Sequence, residues 1–154
     1  MLFDSHCHIN TEAFSLDADR VIKRALENNT ALVIIGTDYK SSKRALEYAN
    51  KYESGVWAAV GLHPQSLRPY TEESNGVVKE IPAEIFNSDM YSVLSKFPKT
   101  VAVGEIGLDY AWRDGDTDIS VRKEEQKKVL KEQLLLARHF DLPAIIHCRQ
   151  AHDD

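Results

Sequence analysis

The sequence predicts an α/β fold built on a parallel sheet, and three observations lead there. Five apolar, β-rich runs recur along the 154 residues, and amphipathic stretches of helical period separate them. The joining segments carry no short hairpin signal between successive runs, so the strands are expected to pair in parallel through helical crossovers. A barrel and a doubly wound sheet both satisfy this pattern.

The first run is Leu2 to His8. Beyond it, Ser15 is expected to cap a helix with Asp17 and Asp19 in its first turn, with Val21, Ile22, Ala25 and Leu26 on one face and Asn28-Asn29 as its end. The second run is Ala31 to Thr37, and the helix after it, Ser41 to Tyr52, spaces Ala45, Leu46, Ala49 and Tyr52 along one stripe. The third run is Val56 to His63. The stretch from Gln65 to Ser95 is the least regular, broken at Arg68-Pro69, Asn75-Gly76 and Ile81-Pro82. Its front half is expected to be a long surface loop, with a helix from Ala83 to Phe97 behind it. The fourth run, Val101 to Asp109, leads through a polar loop at Asp114-Gly115-Asp116 to a helix from Glu124 to Phe140, and the fifth run is Pro143 to Arg149. With no repeat, linker or low-complexity tract, one domain is expected over residues 1–154.

Composition narrows the class. At 43% hydrophobic and 28% charged, the chain has the make-up of a globular protein. It lacks a run of the ~20 apolar residues that span a bilayer, and Met1-Leu2-Phe3-Asp4 reaches an acid at once. A cytoplasmic setting is expected, or a nuclear one in a eukaryote. Cys7 and Cys148 are too few for a disulfide framework and are expected to be reduced and structural. A net charge of −5 excludes a broad basic face that holds nucleic acid by counterion release, so any phosphate must be bound by local groups.

Polar residues gather where the runs end: Asp4, His6 and His8; His63; Glu105 and Asp109; His147 and Arg149. In parallel α/β folds the carboxyl ends of the strands share one face, so these positions converge. Residues two apart on a strand point the same way, so His6 and His8 can hold one cation while Cys7 points away. Glu105 lies in the apolar stretch Val101 to Leu108, and His147 follows Ala144-Ile145-Ile146. A carboxylate in such surroundings needs a cation. Two or three nitrogens with one carboxylate suit zinc, manganese, nickel or iron better than magnesium or calcium, and a carboxylate can bridge two ions. Metal-activated water makes hydrolysis the natural reaction.

Four motifs in order, Phe3-Asp4-Ser5-His6-Cys7-His8, Val60-Gly61-Leu62-His63-Pro64, Gly104 to Tyr110, and Pro143 to Arg149, resemble the TatD family of metal-dependent deoxyribonucleases within the amidohydrolase-like barrels. The resemblance implies a TIM-barrel type (β/α) fold of which this chain supplies the first five βα units. It implies two divalent ions, drawn from Mg, Mn, Zn, Ni and Fe, with His6 and His8 on one, Glu105 bridging, and His147 on the other. Asp4 would stand behind the ligands. His63 would contact phosphate or water and act with Glu105 in catalysis, while Arg149 and Arg113 would meet a substrate phosphate. The implied function is DNA phosphodiester hydrolysis of 3′-5′ exodeoxyribonuclease type. Amide or lactone hydrolysis is the enzymatic alternative, and a truncated, catalytically impaired protein that binds metal or a partner is the other.

Family members continue with three more strands bearing a further histidine ligand and a metal-binding aspartate. The chain is therefore expected to be a fragment of a longer protein, or to self-associate through an exposed fifth-strand edge.

Overall fold

The computed structural model describes residues 1–74, 76–111 and 117–154, with only the backbone of 72–74. Along the chain run β1 (Leu2–Cys7), α1 (Ala18–Glu27), β2 (Thr30–Ile35), α2 (Tyr39–Ala49), β3 (Val56–Val60), β4 (Tyr70–Ser74), β5 (Val77–Ile81), α3 (Ser88–Ser95), β6 (Thr100–Asp109), α4 (Ile119–His139) and β7 (Ala144–Arg149). Five of these strands form one parallel sheet in the order β1-β2-β3-β6-β7.

That order decides between the two architectures. Each new strand is laid on the same side of the last, with no reversal of the kind that defines a doubly wound sheet. Crossovers of one hand then place every helix on the same face. Ile22 of α1 and Ala45, Leu46 and Ala49 of α2 pack on Leu32, Ile34, Ala58 and Val60, while Leu136 and Ala137 of α4 pack on Val103 and Ile106. The alternate residues Val33, Ile35, Ala59 and Ala102 form a separate apolar layer with Trp57 and Ile145 on the other face. The sheet is thus a five-stranded arc of (β/α) barrel type.

Several boundaries differ from those expected. The segment expected as a surface loop contains an antiparallel hairpin, β4 with β5, paired from Tyr70↔Ile81 to Ser74↔Val77. Its second strand is almost wholly exposed, so no apolar alternation announces it. The helix expected from Ala83 is only Ser88–Ser95. Glu84 is committed elsewhere: its amide donates to Ser66 O, and its carboxylate accepts from Tyr39 N and the Tyr91 hydroxyl. Asn87 then caps the helix by accepting from Asp89 N and Met90 N. Asp17, not Ser15, stands at the N-cap of α1, because a short 3-10 turn at Glu12–Phe14 uses the preceding residues. Helix α4 begins five residues before Glu124, at Ile119. The expected polar loop at Asp114-Gly115-Asp116 lies outside the described residues. Both cysteines are free, and Cys7 donates to Val33 O. Among the described residues no helix is long and apolar enough to cross a membrane.

Candidate metal centre

His6, His8, Glu105 and His147 meet at the carboxyl end of the sheet. His6 Nε2 and His8 Nε2 lie 3.2 Å apart, and both face Glu105 Oε2, at 3.4 and 3.7 Å. The other oxygen, Oε1, lies 3.2 Å from His147 Nδ1. Two three-residue groups therefore share one carboxylate, His6-His8-Glu105 and His63-Glu105-His147, each with its potential ligand atoms within 4.8 Å of one another.

The local chain path explains the convergence. Period two along β6 puts Glu105, Gly107 and Asp109 on one face. Gly107 is in register with His147 of β7, and its φ of 150° lies where side chains rarely go. A Cβ there would sit 1.9 Å from His147 O, so only glycine lets β7 close in at this point. The Glu105 amide donates to Gly36 O at the end of β2, fixing the carboxylate between the strands that bear its neighbours.

Asp109 is the functional residue that sequence reasoning left without a role. It is 5% exposed and places Oδ2 3.1 Å from His147 Nε2. If Nε2–H donates to Asp109, Nδ1 turns its lone pair toward Glu105 Oε1, the orientation that a carboxylate behind a ligating histidine imposes. A signal was present: Glu105-Ile106-Gly107-Leu108-Asp109 carries two acids four apart in an apolar strand.

Two glutamines of α4 pin the strand ends. Gln133 accepts from Leu62 N at 2.7 Å and donates to Leu62 O at 2.9 Å, next to His63. Gln126 accepts from Asp109 N and donates to Asp109 O. Seven residues apart on the helix, they lie on one face and do at two strands what a neighbouring strand would otherwise do.

His63 stands just beyond β3, its ring centroid 4.2 Å from that of His147. Its Nδ1 accepts from Gln65 N, so the neutral ring carries its proton on Nε2 and presents a donor rather than a lone pair. Burial, reinforced by His147, holds its pKa down at about 4. Burial and the neighbouring His6 likewise lower that of His8. Both rings are neutral at pH 7, which makes His8 a lone-pair donor and its approach to Glu105 something other than an ion pair.

Asp4 does not reach the rings: its Oδ1 accepts from the His6 backbone amide, and its side chain borders the surface cleft of Cys7, Val21 and Arg24. Arg149 is exposed two residues beyond His147, on the same side of β7. Arg113 lies outside the described residues.

The donor set fits divalent cations. Nitrogen atoms 3.2 Å apart facing one carboxylate oxygen, with a third ring facing the other oxygen, concentrate lone pairs that repel unless a cation or protons lie among them.

The profile of the family described as "TatD related DNase" matches residues 3–154. The chain belongs to this family. It is similar to the metal-dependent hydrolase YabD of Bacillus subtilis (strain 168), 38% identical over 155 aligned positions that cover 100% of the chain and 53% of YabD. It is 30% identical to the 3′-5′ ssDNA/RNA exonuclease TatD of Erwinia tasmaniensis, across 99% of the chain and 52% of that protein. The crystal structure of the TatD homologue YjjV from Escherichia coli K12 superposes with a TM-score of 0.74 at 32% identity, covering 99% of this chain and 52% of the other. The chain spans about half the length of the curated relatives it matches. Within the TatD-related family, the two histidine groups joined by Glu105 provide a residue cluster able to bind metal.

Proposed function

We propose that the chain carries the ligands for two divalent cations of a phosphodiesterase that hydrolyses DNA from the 3′ end, with His6 and His8 on one ion, His147 on the other, and Glu105 between. The observation that carries this reading is that Glu105 serves both groups through different oxygens. Cations held there would lower the pKa of bound water and offset charge on a phosphoryl oxygen. Ring nitrogens favour manganese, zinc, nickel or iron over magnesium.

Four further groups of the chain surround these ligands. Asp109 holds the His147 ring in its ligating orientation. His63, protonated on Nε2, donates to a phosphate oxygen or a water. Arg149, on the His147 side of β7, supplies a cation for substrate phosphate, and Asp4 steadies the His6 backbone. Residues 1–154 act as one domain, in the cytoplasm.

The test uses protein stripped of metal and resupplied with Mn²⁺, offered single-stranded DNA labelled at either end beside a panel of lactones and amides. Metal-dependent release of mononucleotides from the 3′ end is expected. Hydrolysis confined to lactones or amides would transfer the chain to carbonyl substrates, and metal uptake without turnover of any substrate would leave it a metal-binding protein.

A further inference from the structure

Beside the metal centre lies a cavity of about 380 Å³, floored by the ends of β1 and β2 and the start of α2, and roofed by the β4–β5 hairpin. It shares backbone with the site: Thr11 N and Oγ1 both donate to His8 O, and Thr37 O accepts from the His63 amide. A ligand in the cavity would therefore lie against the segments that carry His8 and His63. Its size falls within the range of small-molecule sites.

The lining is mixed. Tyr70, Ile81 and Pro82 of the hairpin present ring and aliphatic surface, the kind on which flat heterocycles stack. Opposite them, the acids outnumber the bases, three (Glu12, Asp38, Glu84) to two (Lys40, Arg44), so the cavity does not select a phosphate. Two of those acids are spent. Asp38 caps α2 through Ser41 N, and Glu84 accepts from Tyr39 N and Tyr91 Oη. Among the described residues Glu12 makes only long ion pairs, 3.6 Å to Arg44 and 3.6 Å to Lys79, and keeps lone pairs to offer. At the floor, Asn10 is 1% exposed, donates through Nδ2 to Ile35 O and Ser41 O, and leaves Oδ1 without a donor.

We propose that this cavity receives a nucleobase of the strand being cut, next to the scissile phosphate, and prefers bases with an exocyclic amino group. Apolar surface from the hairpin covers one face of the ring, and Glu12 accepts from the amino group, as carboxylates do from cytosine N4. The hairpin thereby becomes a selector of sequence. This inference rests on the phosphodiesterase reading, and its test is arranged so that the two can fail separately.

The experiment compares the chain with its Ala83→Trp and Glu12→Gln variants. Ala83 is exposed at the cavity rim, so the tryptophan fills the space without entering the core. Binding of fluorescent phosphorothioate pentamers of dC and dT is measured in EDTA, and Mn²⁺-dependent hydrolysis of bis(p-nitrophenyl) phosphate is measured in parallel. The expected result is about tenfold weaker pentamer binding in Ala83→Trp, a dC over dT preference that Glu12→Gln erases, and unchanged hydrolysis of the small diester. Equal pentamer binding by the parent and Ala83→Trp, or equal binding of dC and dT by the parent, would overturn the base-pocket assignment. Loss of diester hydrolysis in the parent itself, with pentamer binding still sensitive to Ala83→Trp, would overturn the phosphodiesterase reading and leave the pocket standing.

Discussion

Asp109 and Glu105 grip one imidazole from both sides, His147 lying 3.1 Å from the first through Nε2 and 3.2 Å from the second through Nδ1. With Nε2–H given to Asp109, the ring keeps Nδ1 toward Glu105 for a cation.

Asp109→Asn retains an acceptor but removes the charge that makes the ring a stronger ligand. Metal affinity should fall by about tenfold or more, the lower range for partners that stand behind a ligand. Competition with a fluorescent chelator measures it. An unchanged dissociation constant would mean that Asp109 does not orient a ligand.

Glu105→Gln keeps the shape and removes the negative charge on which both histidine groups converge. Affinity should drop by more than about 100-fold, beyond the loss seen when an outer partner is removed. Elemental analysis after dialysis provides the readout, with circular dichroism to verify the fold. Full metal content in the variant would rule out a bridging carboxylate.

Gln133→Leu should destabilise the metal-free protein by about 2–4 kcal/mol, since it leaves the Leu62 N–H and C=O both buried and unpaired. Urea unfolding in EDTA separates this from any metal effect. A midpoint equal to that of the parent would show that the helix is not needed to hold the end of β3.

Gly107→Ala should cost about 2 kcal/mol or more, because its Cβ would overlap His147 O and its φ is unfavourable. Gly76→Ala is the control, with a positive φ of 74° but nothing within 4 Å, and should cost about 1 kcal/mol. Equal losses would mean that the β6–β7 approach is not tight at Gly107.

The parallel arc and the convergence of His6, His8, Glu105 and His147 were legible because each rests on a local rule. Period two set the pair of histidines, and the isolation of polar groups in apolar runs marked Glu105 and His147. Asp109 was placed with the converging polar groups but given no role, because its bond to His147 depends on the register of β6 against β7. The hairpin escaped for a different reason: Val77 and Val78 are 53% and 63% exposed, so the strand has no buried face to leave a period. Nothing local in the sequence marks Gln126 and Gln133, and only the register of α4 against the strands reveals their bonds to backbone.

Anomalous diffraction from crystals grown with Mn²⁺ tests most directly whether Glu105 lies between two cations. Two anomalous peaks are predicted, about 3.5–4 Å apart, one against His6 and His8 and the other against His147, with a Glu105 oxygen on each. A single peak remote from Glu105, or none, with His147 still bonded to both Glu105 and Asp109, would contradict the account.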